Sequence, residues 1–526
     1  MSPLSWSAFE RELASHPDRN FVQHVVSGIK DGFSIGFEGP QVAHSAGNMS
    51  SAKEHPEVVE EYLDTEVALG RVLGPFERPP LPDFRCSPIG VVPKKEKNKF
   101  RLIMNLSAPR GDSVNDFIDK ERFSLSYVTV DNAIDQVVSV GRGCLLSKVD
   151  VEAAFRIVPV SPDDWNLLGF SFRGFFYVDT VLSMGGRSSP AIFDAIAKAA
   201  EWICVNNHNI DFLIHLLDDF LAVESPGSDG TALKRILEAF SSLGIPVNEK
   251  KVDGPTTCLE FLGITLDTVK MEARLSSEKV DKLNELIRSL GGRRKCTQKE
   301  LLSLVGSLSF ACKVIRPGRS FLSRLIALAY SVKELHHIIR IPKGIKRDLR
   351  LWLHFLKEWN GREFFLQKEQ WWSDHEFSTD ASGTIGFGGV FLEEWFHGTW
   401  SEVQRSWSIE VQELYPIVVA AQIWGVRWSS QRIVVRCDNA SVVSAVNKGY
   451  TKVPILSDLL RVLVYLSMTH NFLFRAVHLP GIDNKLSDHL SRLKVDRFHE
   501  DAPWARPDPV QLPPSPLLLC EEVFNG

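Results

Sequence analysis

"HLLDDFLAVE", residues 215–224, sets Asp218 and Asp219 side by side inside a run of leucine, phenylalanine and valine. The pattern is that of strand, turn and strand. Adjacent carboxylates in such a segment repel each other and resist burial. A second apolar run, "LLSKVDVEAAFRIVPV" (145–160), carries Asp150, followed by Glu152 and Phe155. If the two segments are neighbouring strands, Asp150, Asp218 and Asp219 converge on one patch, which needs cations to be tolerable. Hard oxygen ligands favour Mg²⁺ there. An Asp-Asp pair on its own is more often a solvent-facing turn, so the company it keeps decides the reading.

Composition narrows the class. A chain of 526 residues is too long for one core, and 44% hydrophobic with 24% charged residues is a globular profile. No apolar run reaches membrane-spanning length, and the N-terminus "MSPLSWSAFERELASHPDRN" is acidic where a secretion signal is basic and apolar. The eight cysteines show no CxxC and no paired spacing. That argues against a zinc or disulfide framework and suits a reducing compartment. An intracellular protein is expected, with nucleus and cytoplasm left open.

The formal net charge of −5 hides a strong asymmetry. Residues 1–78 hold 6 Lys and Arg against 12 Asp and Glu, whereas residues 281–350 hold 16 against 5. The second block is the electrostatic footprint of a polyanion partner, although a solvated helical face is the plainer alternative.

The chain divides by pattern into five stretches. Residues 1–78 read as acidic and mostly helical. A proline-rich connector, "PFERPPLPDF", opens a mixed region, 79–275, in which short β-rich runs alternate with helices. Residues 276–371 are helical and basic, and 372–495 alternate again between strand and helix. The tail, 496–526, is proline-rich and expected to be poorly ordered.

In the mixed region the chain resembles the polymerase of reverse-transcribing elements. "SPIGVVPKKEKNKFRLIMNLS" is similar to the fingers segment, "SKVDVEAAFRIVPV" to the first catalytic-aspartate motif, and "LSMGGRSSPAIFDAI" to the motif under the nascent base pair. "LLDDFLAV" fills the place of the aspartate-pair hairpin, and "LEAFSSLGIPVNEKK" and "LEFLGITLD" fit the two motifs that follow. The resemblance implies that Asp150 and Asp218 hold two catalytic Mg²⁺ ions, with Mn²⁺ a substitute, and that Asp219 completes the motif. Two such ions activate a primer 3′-hydroxyl and stabilise the leaving pyrophosphate. Lys94 and Arg101 fall at triphosphate-contacting positions, Phe155 at the steric gate beneath the sugar, and Met184 beside the incoming dNTP. Lys250 or Lys251 is a candidate proton donor. Two departures stand out. Leu216 and Leu217 precede the pair where an aromatic residue is usual two positions before it, and Met184 replaces a retroviral glutamine.

The basic stretch then corresponds to a thumb, with Arg293, Arg294, Lys295, Arg316 and Arg319 as candidate phosphate contacts. "RPGRSFLSRL" and the N-terminal "FERELASHPDRNFVQHVVSGIKDGFSIGFEGP" resemble segments of DIRS-type retrotransposons, which integrate by a tyrosine recombinase. No further domain is left in this chain to carry that recombinase. If the parent element has that activity, it lies on another chain or was trimmed away, and a separate recombinase or structural protein of the same element is a candidate partner.

A second acidic constellation follows. "FSTDASGTIGFGGVF" ends a strand on Asp380, "SIEVQELYPIVVAAQIWG" presents Glu413 with Glu410 as its competitor, and "IVVRCDNASVVSAV" ends another strand on Asp438. "VHLPGIDNKLSDHLSRL" carries His478 and Asp488. Asp, Glu, Asp and Asp on strand, helix, strand and helix resemble the RNase H fold. That implies two further Mg²⁺ ions held by Asp380, Glu413, Asp438 and Asp488, with His478 moving a proton or releasing product.

The expected architecture is α+β. A right-hand polymerase of fingers, palm and thumb is followed by an RNase H-like α/β domain and preceded by a helical N-terminal extension. The expected activity is RNA-directed DNA synthesis with cleavage of the copied RNA. The partners would be an RNA template, a DNA primer, dNTPs and the RNA–DNA hybrid, and no membrane. The rival reading is a host-adopted or polymerase-inactive nucleic-acid-binding protein that keeps only the nuclease.

Overall fold

The computed structural model describes residues 2–93, 100–358, 362–363, 377–429, 431–451 and 453–519. It comprises two units, residues 1–262 and 263–526.

In the first unit, helices α1 (Trp6–Glu12), α2 (Arg19–Asp31) and α3 (Pro56–Ala68) begin the chain. Ser5 and Asp18 cap the first two by accepting from the Ala8 and Phe21 amides. Their apolar faces do not form a separate body. Phe9, Val25, Val59 and Leu63 share one core with Val149, Phe193 and Phe220 far along the chain. A hairpin of β1 (Ile89–Pro93) and β2 (Phe100–Met104) follows.

The central sheet contains β3 (Leu145–Asp150), β4 (Phe212–Leu216), β5 (Asp219–Glu224) and β6 (Asp253–Thr256), in the order β6-β3-β5-β4 and antiparallel throughout. Helices α4 (Ser189–Asn207) and α5 (Ala232–Leu243) contribute Ile192, Phe193, Ile196, Ile236 and Phe240 to the same core.

The acidic start of the chain is tied in by charge as well as by packing. Arg156, 7% exposed, donates through Nε and Nη2 to Glu66 Oε2 (2.9 and 2.7 Å) and through Nη2 to Asp179 Oδ1 at 2.8 Å. Burial pushes the Asp179 carboxyl upward and the guanidinium opposes it. Removing either partner would strand a buried charge.

The second unit opens with the antiparallel pair Ile264–Asp267 and Glu272–Leu275, and helices α6 (Ser277–Gly292), α7 (Gln298–Ala311) and α8 (Lys343–Glu358) follow. Thr297 and Glu300 form a reciprocal capping box at the start of α7. The α/β part is a five-stranded mixed sheet of β7 (Phe377–Ala381), β8 (Gly386–Phe391), β9 (Glu394–Thr399), β10 (Arg432–Cys437) and β11 (Leu473–His478), in the order β9-β8-β7-β10-β11. β7, β8 and β9 form an antiparallel meander, while β10 and β11 join parallel to β7. Helix α9 (Ile409–Trp424) is apolar on nearly every face because it lies between this sheet and α10 (Pro454–Thr469).

Asp348 on α8 is fully buried and forms an ion pair with Arg461 of α10, whose guanidinium sits 4.8 Å from the centre of the Phe321 ring. Nearby, the Gly318 backbone lies so close to Trp352 that a Cβ there would meet the indole at 2.5 Å.

Over its described residues, 496–519, the proline-rich tail departs from the expectation of poor order. Val495–Asp501 is helical, and the following residues run along the outer strand β9. Arg506 N–H donates to Glu393 O and Val510 N–H to Trp395 O, both at 2.8 Å, while Trp395 Nε1 donates to Arg506 O at 2.7 Å. Among the described residues no helix is long and apolar enough to cross a membrane.

Removing one member of the Asp348–Arg461 pair should cost about 3–5 kcal/mol, because it strands a buried charge. Asp348→Ala and Arg461→Met should each lower the urea midpoint, and the double variant should recover much of the loss. Simple addition of the two losses would show that the pair is not coupled.

Candidate active sites

The first carboxylate cluster is built by strand register. Asp219 lies directly opposite Asp150, and Asp219 also closes the hairpin opposite Leu216. Leu217 and Asp218 are therefore the two turn residues. Leu217 takes φ +53°, a left-handed conformation that costs a leucine energy and that surrounding structure must hold. The Val151 amide donates to Asp218 O, and the Asn248 amide to Asp150 O, both at 2.9 Å. These bonds fix the ends of both acidic segments.

Asp150 is 3% exposed, and Lys251 Nζ donates to its Oδ2 at 2.7 Å. Of the two candidate lysines, Lys251 is the one that reaches the aspartates. Burial pushes the carboxyls of Asp218 and Asp219 upward, with like charge from Asp150 adding to it in both. Glu152 is exposed.

Beyond Asp150 the chain turns through Ala153 at φ +52°, and Phe155 packs edge-on against Phe193 with centroids 5.9 Å apart. Phe155 is half-buried, so its ring is both core and wall. Arg101 on β2 and the exposed Met184 line a common cavity of about 410 Å³, together with Tyr62 and Arg156. Lys94 lies outside the described residues.

The second cluster gathers at the ends of β7 and β10. Glu413, 4% exposed on α9, offers an oxygen that lies with Cys437 Sγ and an Asp438 oxygen, all within 4.8 Å of one another. Glu410, the competing glutamate, sits one turn earlier and outside this group. Asp380, 6% exposed, accepts from Ser491 Oγ at 2.5 Å and from Asn484 Nδ2 at 3.4 Å. Burial pushes Asp380 up to about 6, with Asp438 and Asp488 adding to the rise. Burial beside Asp380 and Asp438 pushes Glu413 up to about 9. Asp488 on helix α11 (Lys485–Ser491) is paired with Arg492 Nε at 2.7 Å. His478 Nε2 lies 3.0 Å from Asp438 O, which requires the hydrogen on Nε2.

Sequence reading missed Lys251's pairing, Ser491, Asn484, Arg492 and Cys437. None carries a signal on its own, because each matters through a partner distant in sequence.

The basic residues are more scattered. Arg293 is paired with Glu300 at 2.7 Å, whereas Arg294 and Lys295 are exposed. Lys295 lies directly across a two-stranded ladder from Arg340, a like-charge pairing that a bound polyanion would relieve. Arg319 is exposed in the 3₁₀ turn Arg316–Phe321, and the side chain of Arg316 lies outside the described residues.

Folded Glu413 keeps its proton where the unfolded chain has lost it. The cluster's stability cost therefore grows as pH rises from the ordinary carboxylate range and levels off above about 9. Without divalent ions, the wild type should lose more stability than Glu413→Gln from about pH 5 to about pH 9. Parallel melting curves would mean that Glu413 ionises normally.

Residues 92–266 match the family model described as Reverse transcriptase (RNA-dependent DNA polymerase). Among solved structures, the chain is similar to the foamy viral protease–reverse transcriptase dRH in complex with double-stranded DNA. That match has TM-score 0.52 and 16% identity, and covers 90% of this chain and 82% of that one. A second foamy viral protease–reverse transcriptase, also in complex with double-stranded DNA, matches with TM-score 0.51 and 18% identity over 91% and 98% of the two chains. At such identities the likeness is one of fold. Residues 92–266 thus carry a reverse transcriptase domain, within a mixed α/β chain similar in fold to solved reverse transcriptases.

Proposed function

We propose that the chain is the RNA-directed DNA polymerase of a retrotransposon and carries a C-terminal RNase H. The observation that carries this reading is the register that sets Asp219 opposite Asp150, with Asp218 in the strained turn between strands. The sheet order of the second unit, a three-stranded meander extended by two parallel strands, supports the RNase H assignment. The motifs "RPGRSFLSRL" and the N-terminal segment favour an element of the DIRS type. The foamy viral relatives are described with double-stranded DNA, and we extend duplex and hybrid binding to this chain.

Both clusters suit hard divalent ions. Each concentrates carboxylates whose burial disfavours charge, and Glu413 Oε2 is buried without a hydrogen-bond partner. Asp150 and Asp218, with Asp219 beside them, would hold two ions in one site, and Asp380, Glu413, Asp438 and Asp488 would hold two in the other. Mg²⁺, or Mn²⁺ in its place, supplies Lewis-acid stabilisation and an activated oxygen nucleophile when bound.

The protein's own groups do the rest. Lys251 keeps a proton at Nζ, because its bond to Asp150 pushes its pKa upward, and can deliver that proton to the leaving pyrophosphate. Arg101, with Lys94, binds the triphosphate, and Met184 borders the same cavity. Phe155, backed by Phe193, limits the space at the sugar. In the nuclease site, Ser491 and Asn484 orient Asp380, and His478 holds its hydrogen at Nε2, leaving Nδ1 to exchange a proton. Arg294, Lys295 and Arg319 bind the duplex backbone, and Arg293 and Arg316 join them in this reading.

Primer extension on an RNA template, with product DNA and template RNA followed together, tests the assignment. Asp218→Asn should reduce extension by more than about a hundredfold and spare RNA cleavage, since losing even outer-shell support costs about 10- to 100-fold. Asp438→Asn should do the reverse. A wild type that cuts RNA but extends nothing would establish the rival nuclease with a polymerase-derived clamp.

Phe155→Ala should weaken discrimination against ribonucleotides by about tenfold or more, because one group's fit in a pocket is worth about 10- to 200-fold. Unchanged discrimination would remove Phe155 from the gate.

A further inference from the structure

Cys437 stands at the last position of β10, one residue before Asp438 and opposite His478 on β11. A buried cysteine at a strand end is ordinarily a small core residue. Two features set this one apart. Its sulfur lies within 4.8 Å of an oxygen of Glu413 and an oxygen of Asp438, which likewise lie within 4.8 Å of each other. Glu413 is itself 4% exposed, and its Oε2 has no hydrogen-bond partner among the described residues. A buried carboxylate oxygen left without a donor is costly, and a cation is the group that satisfies it.

We propose that Cys437, Glu413 and Asp438 form a site for a soft divalent cation, Zn²⁺ or Cd²⁺, whose occupancy blocks the RNA-cleaving centre. Three donors at this spacing suit a tetrahedral ion. Zinc–sulfur and zinc–oxygen bonds of about 2.3 and 2.1 Å place ligand atoms about 3.6 Å apart, so the cluster needs only a small contraction. The fourth position stays open to water.

Thiolate selects Zn²⁺ and Cd²⁺ over Mg²⁺, so one cluster has two modes of occupancy. Carboxylates alone serve the hard ion, while sulfur joins Glu413 and Asp438 for the soft one. The soft ion removes Glu413 and Asp438 from the hydrolytic arrangement. The Asn439 amide already donates to Cys437 Sγ at 3.4 Å, while burial and the adjacent Glu413 push the thiol's pKa up, so the ion must displace its proton. Binding exchanges the thiol proton and the Glu413 proton for the ion. Both protons pass to solvent, and no oxidation state changes.

The absence of paired cysteine spacing is consistent with this site, which uses one sulfur and two carboxylates in place of a multi-cysteine framework. The Asp150, Asp218 and Asp219 cluster offers oxygen ligands and the Lys251 ammonium. No cysteine joins it in a metal-competent group among the described residues, so the soft ion should spare synthesis.

The binding claim stands on geometry alone, while the inhibition claim rests on the RNase H reading. Cd²⁺ added to the full chain should produce one equivalent of ultraviolet sulfur-to-cadmium charge-transfer absorbance. Cys437→Ser should abolish it, and Cys258→Ser, at an exposed cysteine, should retain it. Glu413→Gln should weaken Cd²⁺ binding at least tenfold, which covers the case in which Cys437→Ser misfolds. A band that survives Cys437→Ser in folded protein, or that is lost with Cys258→Ser, would overturn the site.

In parallel, Zn²⁺ titrated against a fixed Mg²⁺ concentration should inhibit wild-type RNA cleavage. The half-inhibiting concentration should rise at least tenfold in Cys437→Ser, each protein being compared with its own uninhibited rate. Extension by the wild type should be untouched over the same range, and equal inhibition of both activities would overturn the proposal. If the chain cuts no RNA under any condition while the cadmium band behaves as expected, the RNase H reading fails and the metal site stands.

Discussion

The antiparallel pairing of β3 with β5 is the constraint on which the first unit depends. It places Asp150 and Asp219 as opposite partners at the ends of the two middle strands of the sheet, with the Asp218 carbonyl held by the Val151 amide. A slip of one residue would turn every side chain of β5 to the other face, putting Phe220 where Asp219 stands. The apolar residues that lock the register therefore also aim the chemistry. Phe220 and Ala222 share the core with the N-terminal helices, so even the acidic start of the chain helps to hold the aspartates in place.

The two clusters reach similar electrostatics by different means. In the first, carboxylates crowd at a hairpin and a lysine neutralises one of them. In the second, a glutamate is carried inward on a helix covered on both sides, and neighbouring carboxylates raise its pKa further. Both arrangements are costly in the absence of cations, and this is the usual relation between a preorganised site and the stability of its scaffold. The Leu217 turn belongs to the same pattern, since the scaffold sustains backbone strain next to Asp218.

The acidic residues were legible because carboxylates at or beside strand ends break an apolar pattern, as Asp150, Asp218, Asp380 and Asp438 all do. The choice of Glu413 over Glu410 came from the resemblance. In the structure Glu413 is grouped with Cys437 and Asp438 among the described residues. Polar residues with distant partners stayed hidden. Ser491 meets Asp380 across 111 positions, and Arg156 meets Glu66 across 90. No local pattern encodes such pairings. Acidic composition likewise concealed that residues 1–78 share the main core, because Phe9, Val59 and Leu63 reveal their role only in contact. Charge counting overstated the free positive surface, since Arg293 and Arg324 are paired with Glu300 and Asp458.

The tail along β9 bears on where the α/β domain ends. Composition places that end near residue 495, yet the carbonyls of Glu393 and Trp395 are occupied by amides from Arg506 and Val510. An outer strand with open carbonyls is a template for any passing chain, and proteins usually blunt such edges. Here the blunting is done by proline-rich backbone that cannot itself extend a ladder at its prolines. The segment serves as a selvedge that finishes the sheet and denies its margin to a second molecule.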